Sequence, residues 1–177
     1  MGVNPDPPPT QAVQAIIALG GNMGDVRASF LGARQMLAVD EHISLLASSF
    51  LYRSTPMGPQ DQADYLNAVI SVETALSARQ LLHRMQDIET HFGRRRDGLR
   101  WGERTLDLDL IAYDDMQLQS DELMLPHPGI QDRLFVLQPM HDICPEWLHP
   151  VTGKSVTHLL QDLIQTGEIQ LSEGEVW

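Results

Sequence analysis

Two kinds of hydrophobic periodicity alternate along this chain, and their order constrains the fold more than any other feature. Val13–Leu19 (VQAIIAL) is a short, mostly apolar run, consistent with a buried strand. Over Val26–Val39 the apolar residues recur at helical spacing, with Phe30, Ala33 and Leu37 on one face. Ile43–Tyr52 and Tyr65–Leu76 read as strands. Between and after them, Ala78–Phe92 repeats Leu81, Leu82, Met85, Ile88 and Phe92 on a helical face, and Thr105–Tyr113 (TLDLDLIAY) returns to strand character. The order strand, helix, strand, strand, helix, strand is that of a ferredoxin-like α+β sandwich (βαββαβ). An extra hairpin is expected around Met116–Leu125, with helical segments from Gln131 to the end. Residues 1–11 carry Pro5, Pro7, Pro8 and Pro9, which suit neither a helix nor a central strand. They are expected to form a flexible leader ahead of one domain spanning 12–177.

Charge narrows the ligand class. The chain holds 24 acidic and 12 basic residues, a net charge of -12, which disfavours nucleic acid as a partner. Its arginines are nevertheless clustered, with Arg94, Arg95, Arg96, Arg100 and Arg104 in one short stretch. A positive island in an acidic chain suits a small polyanion, because the planar guanidinium fork matches phosphate oxygens. A solvated charged loop is the alternative. Cys144 is the only cysteine, so no internal disulfide can form. No apolar run approaches the ~20 residues needed to span a bilayer, and a cytoplasmic location is expected.

The strongest chemical signal follows the arginines directly. In Arg104-Thr105-Leu106-Asp107-Leu108-Asp109-Leu110, strand alternation puts the three leucines on one side and both carboxylates on the other. Adjacent carboxylates repel unless a cation lies between them, and Mg²⁺ prefers oxygen sites completed by phosphates. An acidic, water-facing strand face is the competing reading. The two classical phosphate motifs are missing: Gly153-Lys154-Ser155 lacks the first glycine of a P-loop, and Gly20-Gly21-Asn22-Met23-Gly24 lacks the dinucleotide spacing.

Over roughly residues 16–160 the chain resembles the 6-hydroxymethyl-7,8-dihydropterin pyrophosphokinases of folate biosynthesis. The resemblance is carried by Ala18-Leu19-Gly20-Gly21-Asn22 with Gly24-Asp25, by Ser48-Ser49-Phe50 with Tyr52-Arg53, and by Gly58-Pro59-Gln60-Asp61-Gln62. It continues through Asp64-Tyr65-Leu66-Asn67-Ala68, Arg100-Trp101-Gly102 with the Arg104–Asp109 stretch, Pro126-His127-Pro128, and Arg133 with Phe135. It departs at Gly21, where the family usually has serine, and at Met57, Glu122, Met124 and Pro128.

That resemblance implies an enzyme, an ATP-dependent diphosphotransferase that passes the β,γ-diphosphate of ATP to the pterin hydroxymethyl group and leaves AMP. It implies two Mg²⁺ ions on Asp107 and Asp109, with ATP as co-substrate, and a catalytic set of Arg94, Arg104, Asp107 and Asp109. ATP-binding positions are Glu89, Arg96, Arg100, Trp101, Arg104, His127 and Arg133. Pterin-binding positions are Ser54, Thr55, Met57, Tyr65, Asn67, Trp101 and Phe135. The expected partners are those two small molecules, with no membrane and no nucleic acid, and the chain is expected to be a monomer.

Overall fold

A computed structural model describes residues 7–57, 61–94, 103–166 and 171–177. Strand β1 (Val13–Gly21) leads into helix α1 (Val26–Ala38), which is followed by β2 (Ile43–Ser48), β3 (Tyr52–Ser54) and β4 (Tyr65–Thr74). Helix α2 (Ala78–His91) and strand β5 (Asp107–Tyr113) come next. The short hairpin β6 (Leu118–Gln119) and β7 (Met124–Leu125), a 3₁₀ turn at Ile130–Asp132, α3 (Leu134–Ile143) and α4 (Val156–Gln165) complete the order. The main sheet is antiparallel throughout, in the order β2-β4-β1-β5, with β3 also pairing to β4. No helix among the described residues is long and apolar enough to cross a membrane.

Side-chain alternation divides the core into two layers. Ala15, Ile17 and Leu19 of β1, with Ala68, Ile70 and Val72 of β4, meet Phe30 and Leu37 of α1 and Leu81, Met85 and Ile88 of α2. Ile16, Ala18, Val69 and Ile111 point the other way, onto Leu134, Leu137 and Met140 of α3 and Leu159 of α4. Both faces of the sheet are therefore covered, and the C-terminal helices close the face that a two-layer sandwich would leave open. Local chemistry sets the helix starts. Asp25 caps α1 by accepting from Ala28 N at 3.0 Å. At the start of α2, Ser77 and Gln80 form a reciprocal capping box.

Two expectations need correction. Ile43–Tyr52 is not one strand: after Ser48 the ladder is interrupted because the Ser49 hydroxyl accepts from Val69 N at 2.9 Å, taking a donor that a backbone carbonyl would otherwise use. Nor is the chain helical to its end. Residues 171–177 are not helical, and Glu175 bridges Leu51 in antiparallel fashion.

The leucine face of β5 anchors its carboxylate face. Leu106, Leu108 and Leu110 all lie in the layer beneath α2, and Leu106 is fully buried. Leu106→Ala should destabilise the fold by about 2–5 kcal/mol. Chemical denaturation measures this, and a loss well under 1 kcal/mol would show that the leucine face is not what holds the strand.

Candidate active site

Strand register assembles the site on the α3 side of the sheet. Asp107 stands opposite Gly20, and Asp109 opposite Ala18. On the other flank of β1, Gly20 faces Asn67, which in turn pairs with Tyr52. Directly opposed residues share a face, so acidic β5 and polar β4 are separated by two small side chains. The space over Gly20 and Ala18 is the floor of a cavity of about 290 Å³.

One wall of that cavity is charged. Arg94, Arg104, Asp107, Asp109, His127 and Arg133 all line it. Arg104 Nη1 donates to Asp107 Oδ2 at 2.6 Å, and Arg94 Nη1 lies 2.5 Å from Asp107 Oδ1. Arg133 Nη1 is 4.0 Å from Asp109 Oδ2. Across β1 from β5 the lining is neutral, with Ser54, Thr55, Met57, Tyr65 and Asn67, while Phe135 lies beside Arg133, whose guanidinium is 5.9 Å from its ring centroid. There Asn67 Nδ2 donates to Ser54 Oγ at 2.9 Å, fixing the amide within the wall. The sequence-derived positions Arg96, Arg100 and Trp101 lie outside the described residues.

Glu89 is placed differently from the rest. It is 2% exposed and does not line the cavity. From α2 its Oε1 accepts Leu108 N at 2.7 Å and pairs with Arg94 Nη1. Glu89 thus ties helix, strand and arginine together from behind the acidic pair. Burial pushes its carboxyl well above the usual range, while the Leu108 N–H and Arg94 pull it back.

Asp109 is also pushed up, by desolvation first and by the charge of Asp107 second. Its side chain keeps 44% of its surface open, so solvent tempers that push. Asp107 Oδ1 is buried and, among the described residues, is held by the Arg94 ion pair at 2.5 Å without a hydrogen bond of good geometry. Two neighbouring carboxylates on one strand face, Asp107 and Asp109, fit a hard cation. No group of three or more acidic, histidine or cysteine side chains suited to a metal occurs among the described residues. That donor set suits Mg²⁺, which commonly takes one or two carboxylates and completes its shell with water and phosphate oxygens.

Two further residues shape the cavity without having been assigned a role from sequence. Asn22 Oδ1 accepts Arg104 N at 2.9 Å, while its Nδ2 donates to Gln62 Oε1 at 3.0 Å and Ala63 O at 3.1 Å. One amide therefore joins the turn after β1, the loop before β4 and the entry to β5. Gly21 beside it has no room for a side chain: an added Cβ would lie 2.8 Å from Thr105 O. The only sequence signal for this junction was the turn-forming Gly20-Gly21-Asn22 run.

An antiparallel α+β fold that gathers paired carboxylates, guanidiniums and an imidazole around one cavity is built as a nucleotide-handling transferase. Residues 16–145 match the family model of 7,8-dihydro-6-hydroxymethylpterin-pyrophosphokinase (HPPK), and this chain belongs to that family. It is 42% identical over 172 residues to a 2-amino-4-hydroxy-6-hydroxymethyldihydropteridine pyrophosphokinase of Synechocystis sp., covering 97% of this chain and 87% of the relative. With the enzyme of that name from Haemophilus influenzae the identity is 37% over 160 residues, covering 90% and 99%. The fold resembles the crystal structure of Plasmodium falciparum HPPK-DHPS wild type with pterin and p-hydroxybenzoate, at TM-score 0.69 and 14% identity. That match covers 88% of this chain but only 44% of the longer Plasmodium chain, and it speaks to the fold alone.

His127 supplies a pH signature. Its Nδ1 accepts Gly129 N at 3.1 Å, which leaves the ring proton on Nε2. Burial, and then the Arg133 charge, push its pKa from 6.5 down to about 4. A histidine kept neutral by the fold contributes stability that is complete above its ordinary pKa and is lost as pH falls toward the folded value. Between pH 6.5 and 4 the wild type should lose on the order of 2 kcal/mol more stability than His127→Gln. Denaturant titrations across that range test this, and parallel curves would contradict it.

Proposed function

We infer that this chain transfers the β,γ-diphosphate of ATP to the hydroxymethyl group of 6-hydroxymethyl-7,8-dihydropterin, giving AMP and the pterin diphosphate for folate synthesis. The observation that carries this reading is the cavity's two-sided lining, with acids and guanidiniums on one wall and an aromatic-amide wall opposite. Family membership supplies the reaction, and the local geometry supports the assignment of parts.

In this reading Asp107 and Asp109 hold two Mg²⁺ ions, which when bound neutralise triphosphate charge. Arg94, Arg104 and Arg133 grip phosphate oxygens and offset charge that builds as the bond between the α- and β-phosphates breaks. His127, neutral with its proton on Nε2, donates to a phosphate oxygen without adding charge. Arg96, Arg100 and Trp101 belong to the same nucleotide side by resemblance. Across the cavity, Tyr65, Trp101 and Phe135 sandwich the flat pterin while Asn67 and the Ser54-Thr55-Met57 backbone bond its edge. The substrate oxygen bonds the β-phosphorus, AMP leaves, and the walls position the two partners for that attack. Glu89 acts through Arg94 and Leu108, not by touching the nucleotide.

The finer architectural reading belongs here too. We take the sheet with α1 and α2 as a ferredoxin-like unit, supported by the strand order β2-β4-β1-β5. Residues 12–177 are read as one domain, supported by the two apolar layers that share a single sheet. A cytoplasmic site of action agrees with a lone, half-buried Cys144.

Asp107→Ala and Asp109→Ala should each lower AMP formation by about 10²–10³-fold, the scale of removing a main charge-stabilising group. Neither side chain is in the apolar core, so melting temperatures should stay near wild type. Near-normal turnover in either variant, or ADP as product in the wild type, would refute the assignment.

A further inference from the structure

Strand β3 is only three residues long, yet it delivers Ser54 and Thr55 to the neutral wall of the cavity. β4 pairs with one of its edges, and residues 171–177 run along the other. Leu51 and Glu175 exchange both backbone hydrogen bonds, at 2.8 and 2.9 Å. Arg53 N donates to Ser172 Oγ at 2.8 Å, and Ser172 N donates to Arg53 O at 3.3 Å. Farther along, Trp177 Nε1 donates to Ser49 O at 2.7 Å, and the indole packs edge-on against Phe30 with Arg34 over its face at 4.6 Å.

The segment approaches β3 too closely for an ordinary residue at its centre. A Cβ added to Gly174 would lie 2.8 Å from Phe50 Cβ and 3.1 Å from the Tyr52 hydroxyl. That hydroxyl also reaches both oxygens of Asp142 on α3, at 3.0 and 2.9 Å, while Phe50 N donates to the same carboxylate at 3.1 Å. Tyr52 is 6% exposed, and burial followed by Asp142 raises its pKa to about 12, so it remains a donor at any physiological pH. The strand is thus held along its free edge and pinned to α3 at a point two residues before Ser54.

We propose that residues 171–177 are a strap that positions β3, with Ser172 and Gly174 as positioning residues that set the affinity of the neutral wall for the pterin alcohol. The proposal rests on the functional reading above. None of these residues lines the cavity, so their effect reaches it only through the placement of Ser54 and of the Asn67 amide bonded to it. The charged wall is carried by β5, by the segment after α2 and by the segment before α3, none of which the strap contacts through these bonds. The proposal therefore separates the two substrates: loosening the strap weakens pterin binding and spares the nucleotide.

The test is isothermal titration of wild type, Ser172→Ala, Ser172→Thr and Gly174→Ala. Each is titrated with Mg²⁺ and α,β-methylene-ATP, and then with 6-hydroxymethyl-7,8-dihydropterin in the presence of that analogue. Ser172→Ala and Gly174→Ala should weaken pterin binding about five- to tenfold and leave analogue binding within twofold, while Ser172→Thr, which keeps the hydroxyl, restores wild-type affinity. Unchanged pterin affinity in both variants overturns the strap, as does equal weakening of both ligands together with a fallen melting temperature. An AMP assay of the wild type separates the two levels. Pterin binding that responds to the strap with no AMP formed sinks the functional reading and keeps the strap, whereas AMP formation with indifferent pterin affinity does the reverse. A wild type that binds no pterin overturns both.

Discussion

The structure depends on one strand that serves two environments. Along β5 the leucines enter the layer under α2, and Asp107 and Asp109 enter the cavity on the other side. Leucine burial, worth about 1.5–3 kcal/mol per side chain, holds two like charges side by side that would otherwise separate. The neighbouring groups then temper the repulsion. Arg94 and Arg104 flank Asp107, Arg133 stands near Asp109, and Glu89 clamps the backbone between them through Leu108 N. The Arg94 and Arg104 guanidiniums lie against the Asp107 carboxylate. The site therefore carries charge of both signs in close contact.

The second constraint is what the small residues leave out. Gly20 and Ala18 sit between the acidic strand and Asn67, so a floor exists where larger side chains would fill the space. Asn22 then fixes three chain segments around that floor with one amide. The cavity floor and the loop geometry around it are therefore consequences of the same β1 terminus.

Much of this was legible in the sequence. The alternation Leu106, Leu108, Leu110 against Asp107, Asp109 predicts the division of faces, and the structure has it. The shared face of Tyr65 and Asn67 followed from the same period-two rule. Less was legible where a side chain takes the place of backbone. Ser49 breaks the strand with its hydroxyl, which no periodicity reports. Glu89 occupies an ordinary polar position in a helix, and only the packing of α2 on β5 buries its carboxylate. The segment 171–177 is short, and Gly174 is compatible with many structures; its pairing with Leu51 depends on contacts more than a hundred residues apart in sequence. Of the positions named by the family resemblance, those on β3, β4 and β5 converge through strand register, whereas Glu89 lies behind the cavity and Arg96, Arg100 and Trp101 lie outside the described residues.

The most direct test of the central claim is a crystal structure with Mg²⁺, α,β-methylene-ATP and the pterin alcohol bound. The account predicts metal at about 2.0–2.1 Å from oxygens of Asp107 and Asp109, with Arg94 and Arg104 turned from Asp107 onto the phosphates. Carboxylates free of metal, with the triphosphate seated elsewhere and both arginines still against Asp107, would contradict it.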